Sequence, residues 1–432
     1  MIPLLDSLGP AAAAGLFVLT YTGIVLFKRH KTKVLWGGIA VALLFSRTLA
    51  PLPALPGSVN WNVMGIFAGT LLVAELFILS RVPELLAHRF VNRSGSVGLA
   101  LFAIAVMTSL LSTFVENVAT VLIVAPIALV ISDRLKVDPT PFMIGIAISS
   151  NLQGTATLIG DPPSMILAAK FPGHMTFNDF FWMDGRPSIF FAVQIGAVAS
   201  YGVLWLFYRR YRQKPERLED VPVRSWMPTW LLVAMVVALA LSSLVDPGFG
   251  YAAGVISMIA GVLGLALHAR GNHGEARDVL RRYDWDTTFF LMGVFVMVGI
   301  LERSGALDLL AGWMASGVGS SPLLAFVAIV GVSVALSAVI DNVPYITAMI
   351  PVTIALSERM GLAPHLLVFG LLMGACLGGN VTPVGASANI TAMGILKRHG
   401  RIPGFWDFMK IGLPFTLAAT VAGAAFVWFV WN

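Results

Sequence analysis

Four polar stretches interrupt a chain whose apolar runs are otherwise long. Two pair an acid with an asparagine, Phe114-Val115-Glu116-Asn117-Val118 and Val339-Ile340-Asp341-Asn342-Val343-Pro344. The third runs Ser149-Ser150-Asn151-Leu152-Gln153-Gly154-Thr155-Ala156-Thr157 and on to Gly160-Asp161-Pro162-Pro163. The fourth runs Gly378-Gly379-Asn380-Val381-Thr382-Pro383 and on to Gly385-Ala386-Ser387-Ala388-Asn389. Gly and Pro free backbone amides and carbonyls, which in lipid are tolerated only where protein or a water-filled cavity satisfies them. Asn117, Ser149, Ser150, Asn151, Thr155, Thr157, Asn342, Asn380, Thr382, Ser387 and Asn389 then supply carboxamides and hydroxyls for a small polar solute or ion. Glu116, Asp161 and Asp341 are the candidate proton or ion couplers, with no Lys or Arg in sequence facing them. A carboxylate at membrane depth is costly unless paired or protonated. Such acids suit a proton relay or a cation site, not an unaided dianion.

Plainer roles stand beside these. An isolated Gly or Ser in a membrane helix is ordinarily packing, and Asp161 and Asp341 could simply cap helices at a break. Glu75, a fourth acid at depth, fits packing or assembly as well as coupling. Cys376 is the sole cysteine and reads as buried and inert, although a thiol there could touch a soft metalloid. The seven histidines read as solvated, in loops or at span ends, and no pair has metal-ligand spacing on one helix, so no metal is expected. A Gly-x-x-x-x-Gly-Lys-Ser/Thr loop is absent, so the chain is not expected to hydrolyse ATP or to be an enzyme. No catalytic residue and no cofactor are assigned, beyond a proton, or sodium, as coupling ion.

The elements that hold these residues follow from composition. Of 432 residues, 57% are hydrophobic and only 12% charged, about half the charge of a soluble domain. The net charge of +6 sits in short clusters between apolar runs, not on a basic face, which excludes a nucleic-acid partner. Spans are expected at about 11–27, 34–50, 61–80, 139–168, 187–208, 228–245, 250–268, 285–302, 363–396 and 407–430. The runs 97–131 and 321–357 are too long for one helix and are read as re-entrant hairpins. The fold expected is therefore an all-α polytopic membrane protein of about ten spans plus two hairpins. Placing Lys28-Arg29-His30-Lys31-Thr32-Lys33 in the cytoplasm puts 23 Lys and Arg inside and 5 outside, a strong positive-inside bias. It predicts an inner (plasma) membrane protein with both termini outside.

The chain also repeats itself. At an offset of 224, Trp61, Gly69, Ser80 and Leu85 meet Trp285, Gly293, Ser304 and Leu309. At 225, Glu116 meets Asp341, Asn117-Val118 meets Asn342-Val343, and Pro126, Gly154, Thr157 and Gly160 meet Pro351, Gly379, Thr382 and Gly385. Residues 1–208 and 228–432 are read as two copies joined by a cytoplasmic linker at 209–227. Each copy has an odd number of spans, so the second is inverted, as in many secondary transporters.

The runs from Glu116 to Pro126 and from Ser150 to Pro163, with their counterparts at Asp341–Pro344 and Gly378–Asn389, resemble the ion transporter superfamily. Arsenite permeases of the ArsB type and the P proteins are the nearest match, with NhaD-type sodium/proton antiporters and citrate or dicarboxylate carriers as relatives. The resemblance implies that hairpin tips and broken helices form the site in a mobile transport domain, and that the other spans form a scaffold that often dimerises. Dicarboxylate carriers have Ser-Asn-Thr at both tips, where Glu116-Asn117-Val118 and Asp341-Asn342-Val343 stand here, which argues against carboxylate substrates. The expectation is proton-coupled export of a small inorganic solute, arsenite or antimonite first, with a sodium/proton antiporter as the alternative. A dicarboxylate carrier or an uncoupled channel ranks below both. The expected partners are the solute and the lipid bilayer; a homodimer and a separate ATPase partner are both compatible with this reading.

Overall fold

A computed structural model describes residues 9–27, 30–45, 55–134, 136–219, 221–271 and 273–432. Lys28, Arg29, Arg47 and the end of the expected 34–50 span lie outside these residues. The described chain is helical almost throughout. It begins with α1 (Pro10–Leu26), α2 (Lys31–Phe45), a single turn α3 (Leu55–Ser58), α4 (Trp61–Leu79) and α5 (Val82–Arg93). A hairpin of α6 (Val97–Ser112) and α7 (Asn117–Arg134) follows, then α8 (Thr140–Gly154), α9 (Pro162–Lys170) and α10 (Ile189–Tyr208). After an extended segment come α11 (Met227–Val245), α12 (Ala252–Gly271), α13 (His273–Arg282), α14 (Trp285–Ser304) and α15 (Ala306–Val318). A second hairpin of α16 (Pro322–Ser337) and α17 (Asn342–Arg359) leads to α18 (Pro364–Gly378), α19 (Ser387–Arg398) and α20 (Phe405–Trp431).

Among the described residues, eight helices are long and apolar enough to cross a bilayer: α4, α7, α10, α11, α12, α14, α18 with its 3-10 continuation, and α20. The expected spans 139–168 and 363–396 are each two helices separated by irregular backbone, as the Gly and Pro residues there require. Helices α5, α13 and α15 are additions to the sequence reading, because each is too polar or too short to register as a span.

Corresponding helix starts use corresponding caps. Asn60 and Asp284 accept from Val63 N–H and Thr287 N–H, opening α4 and α14. Ser96 and Ser321 accept from Leu99 N–H and Leu324 N–H, opening α6 and α16. These caps satisfy amides that a helix start leaves without partners.

Polar contacts sort the loops into two groups. In one group, Thr32 bonds the Asp286 carbonyl, His399 bonds Asp133, and the 209–224 segment runs along α5 and the start of α6 through Asn92–Leu218 and Gln213–Val97. In the other, Arg303 bonds Ser58, Asn62 bonds the Phe249 carbonyl, Lys170 pairs with Glu302, and Arg186 bonds the Val430 carbonyl. Each of these contacts joins segments that the charge pattern assigns to one and the same side.

The tightest crossing is that of α4 with α12. A Cβ on Gly69 would stand 2.1 Å from the Ser257 carbonyl carbon, and Gly65 faces Gly254 at 3.0 Å. Small residues allow this backbone approach, and it replaces the hydrophobic drive that lipid does not supply. Gly69→Ala should therefore cost about 1–3 kcal/mol by overpacking and lower the melting temperature in detergent. Gly202→Ala, where the added methyl meets open space, should leave it unchanged.

Candidate functional site

The hairpins and broken helices meet at one place. Asn117 opens α7, and its carboxamide donates to Asn151 Oδ1 at 3.0 Å. Asn151 Nδ2 donates in turn to Asn380 Oδ1 at 2.9 Å and Asn389 Oδ1 at 3.0 Å, joining the two breaks. Asn389 then donates to the Gly379 and Thr382 carbonyls, both at 2.9 Å, and Asn380 to the Ile148 carbonyl at 3.2 Å. All four asparagines are buried. Their amides close carbonyls that the broken helices would otherwise leave bare in an apolar interior.

The hydroxyls mostly hold hairpin to break. Ser150 Oγ bonds both Ser112 Oγ and the Asn117 carbonyl at 2.9 Å. Thr157 donates to the Thr113 carbonyl, and Thr382 donates to the Ala338 carbonyl, the same bond one repeat later. A Cβ on Gly160 would collide with the Gly154 and Ser112 carbonyls, and one on Gly385 with those of Gly379 and Ser337. Thr155 donates to the Asn151 carbonyl, and Ser149, also buried, takes the Ser109 hydroxyl on its carbonyl at 3.0 Å. Ser149, Ser150, Asn151, Thr155, Thr157, Asn380, Thr382 and Asn389 thus frame the site, while Asn117, Asn342 and Ser387 line its cavity together with the three acids.

The acids differ in what they do. Glu116 Oε2 accepts from Ala119 N–H at 3.0 Å and caps α7. Asp341 Oδ1 accepts from Val343 N–H at 3.2 Å and caps α17, while its Oδ2 takes the Ser387 hydroxyl at 3.2 Å. Asp161 stands at the start of α9 with no side-chain cap bond. Its carboxylate instead faces Asn342 Nδ2 at 3.4 Å, from a residue 181 positions away in sequence. Capping, the plain role open to Asp161 and Asp341 from sequence, holds for Asp341 and not for Asp161.

These acids surround a chamber of about 30 Å³. It has room for one or two water-sized bodies. More of the wall comes from residues that the sequence did not mark as site residues: Lys31, Phe67, Leu71, Asp284, Thr287 and Phe290. Lys31 corrects the expectation that no basic residue faces the acids. It reads in sequence as a loop charge, but it opens α2, which Trp36 ties to the Phe289 carbonyl of α14. Its ammonium lies 4.6 Å from the centre of the Phe290 ring, within cation–π range. Asp284 was hidden in the same way, as a cap at a span end. Beyond the chamber a vestibule of about 550 Å³ shares Lys31, Asp284, Thr287, Asp341 and Ser387. Glu75, half-buried on α4, and Cys376, fully buried on α18, are not among the chamber residues.

Two kinds of comparison bear on this arrangement. The citrate transporter family, CitMHS, matches over residues 21–353. An uncharacterized transporter of Mycobacterium tuberculosis is 32% identical over 380 residues, covering 86% of each chain. The P protein of Homo sapiens is 24% identical over 507 residues, covering 98% of this chain and 59% of its own. Among solved structures, the YdaH transporter of Alcanivorax borkumensis aligns with a TM-score of 0.60 at 16% identity, over 87% of this chain and 86% of that one. MtrF of Neisseria gonorrhoeae, described as illuminating a class of antimetabolite efflux pumps, aligns at 0.56 and 13% identity, over 99% of this chain and 96% of that one. At those identities the likeness is one of fold.

Asn151→Ala removes the link between the two breaks and leaves the amide of Asn117 and the carboxamide oxygens of Asn380 and Asn389 short of partners. Each bare buried group costs about 1–3 kcal/mol. The variant should insert, melt well below wild type, and show no solute flux in proteoliposomes. Wild-type flux would remove Asn151 from the site's framework.

Proposed function

The chain belongs to the citrate transporter (CitMHS) family of secondary transporters, and from that premise we propose that it exports a small inorganic solute in exchange for protons. The observation that carries this reading is the chamber: about 30 Å³, walled by Glu116, Asp161 and Asp341 from the hairpins and broken helices and by Asp284 and Lys31 opposite. The acids there outnumber the single ammonium, which suits a neutral solute or a cation better than a tricarboxylate. Arsenite or antimonite, largely neutral hydroxides at neutral pH, need hydroxyl and amide partners and no cationic clamp. Asn117, Asn342 and Ser387 supply them at the chamber wall. Proton binding at the acids would alternate with solute loading.

A second reading, sodium/proton exchange, draws on the same wall. Clustered carboxylate and carboxamide oxygens also suit a hard cation.

The matched caps and the matched Thr157 and Thr382 bonds support reading 1–208 and 228–432 as inverted halves joined by 209–227. The vestibule lies beside Lys31, Asp284 and Asp286, on the side that the charge bias assigns to the cytoplasm. On this reading the protein stands in the inner membrane with both termini outward, open inward. The mobile hairpin unit would work against a scaffold that dimerises. The transport cycle runs on the proton gradient; a separate ATPase partner would add to it.

The test uses purified protein in liposomes with an internal pH dye and an acidic interior. Externally added arsenite or antimonite should trigger proton efflux, while sodium, lithium and citrate should not. Efflux with sodium or lithium alone would establish the second reading. Asp161→Asn should abolish solute-driven proton efflux, and an unchanged signal would remove Asp161 as the carrier. Cys376→Ser should leave arsenite-driven efflux within about twofold, since a buried thiol behaves as a small hydrophobe.

A further inference from the structure

Away from the transport site, the ends of three long helices enclose a second, polar cavity. It has a volume of about 570 Å³ and lies where α8 begins, α10 ends and α20 begins. Arg210, Arg401 and Lys410 line it, together with Asp138 and Asp407. The two acids are already engaged. Asp138 Oδ1 accepts from Thr140 N–H at 3.0 Å, starting α8. Asp407 Oδ2 accepts from Gly404 N–H at 3.0 Å, starting α20, and its Oδ1 meets Lys410 Nζ at 3.5 Å. Among the described residues, neither arginine has an acid of its own. Arg210 reaches only the Tyr211 hydroxyl, at 3.1 Å, and lies over its ring. Among the described residues, no carboxylate pairs with Arg401.

Next to this cavity, at the start of α20, apolar side chains lie bare. Ile402 is 82% exposed and Trp406 70%, with Phe405 beside them at the start of α20. Exposed cations beside exposed aliphatic and aromatic side chains, at the level where spans end, match the two parts of a phospholipid. The anionic head has two guanidinium forks to bridge, and the acyl chains have Ile402, Phe405 and Trp406 to lie on.

We infer that this cavity is a binding site for the headgroup of an anionic phospholipid, with phosphate held by Arg210 and Arg401. The site has a route to the transport machinery. Two residues beyond Lys410, Gly412 packs so closely that a Cβ there would stand 2.3 Å from the carbonyl oxygen of Asn380. A lipid that fixes the start of α20 therefore also fixes the backbone against which the second break rests.

The experiment titrates purified full-length protein in detergent with short-chain phosphatidylglycerol, short-chain phosphatidylcholine and inorganic phosphate, reading the melting temperature. Phosphatidylglycerol should stabilise at concentrations roughly tenfold below phosphatidylcholine, and Arg210→Gln/Arg401→Gln should erase that difference. Should the double variant not fold, Arg401→Gln alone, at an exposed position, should weaken phosphatidylglycerol about fivefold. Location is read separately: phosphatidylglycerol brominated on its chains should quench less fluorescence from Trp406→Phe than from wild type, with the loss absent for brominated phosphatidylcholine. Equal stabilisation by both lipids, or a full effect retained in the arginine variants, would overturn the proposal. Inorganic phosphate binding as tightly as phosphatidylglycerol would also overturn it, by making the ligand a soluble anion.

Discussion

A broken helix in a bilayer must have its loose carbonyls and amides answered by protein, because hydrocarbon answers none. In this molecule the answer runs through Asn151. A carboxamide is both donor and acceptor, so one side chain can stand between two others. Asn151 takes the Asn117 amide with its oxygen and gives its own amide to Asn380 and Asn389. Asn389 passes the link on to the Gly379 and Thr382 carbonyls. One connected set of bonds therefore spans a hairpin tip and both breaks. A half-satisfied set at this depth would be costly, so these parts hold their geometry together or lose it together.

That connection divides the chamber into two faces. Glu116, Asp161 and Asp341 belong to the bonded set of hairpins and breaks, whereas Lys31, Asp284 and Phe290 belong to α2 and α14. Trp36 and Thr32 fasten α2 to α14 through backbone carbonyls, so the second face is itself a unit. Sliding one face along the other would exchange the charges that meet across the gap. On the proposed alternating-access cycle, the ammonium of Lys31 would be a counter-charge present in one arrangement and withdrawn in the other. A solute or proton can shift such an equilibrium only through its different affinity for the two arrangements.

Much of this was legible from residue type. The acid–Asn tips start helices, the Gly- and Pro-rich stretches break them, and the offset that pairs Thr157 with Thr382 pairs the same hydrogen bond in space. What stayed hidden has a common cause. Lys31 and Asp284 sit at helix ends, where a charge reads as solvated, and only the packing of α2 on α14 turns Lys31 inward over Phe290. The cross-repeat pairs, Asn151 with Asn389 and Asn342 with Asp161, join residues 238 and 181 positions apart. No local pattern announces contacts of that kind. The division of hydroxyls into framework and cavity lining was equally illegible, since Thr157 and Ser387 look alike until their partners are known.

The departures from symmetry say most about coupling. Where the first copy has Asp161 the second has Ala386, and where the first has Asn151 the second has Cys376. The two tip acids are equivalent, and each holds a backbone amide at the start of its helix. Protonating a capping carboxylate weakens that acceptor and loosens the helix start, so proton uptake there disturbs the hairpin itself. Asp161 carries no such duty. Its one side-chain bond is the long contact from Asn342, which a proton on Asp161 would leave in place or turn around without freeing any backbone group. Of the three carboxylates that the hairpins and broken helices bring to the chamber, Asp161 is the one whose charge can change at the least structural cost. Because position 386 carries Ala in place of an equivalent acid, on the proposed proton coupling that change would act on one side of the Asp161–Asn342 contact and reach the other through Asn342.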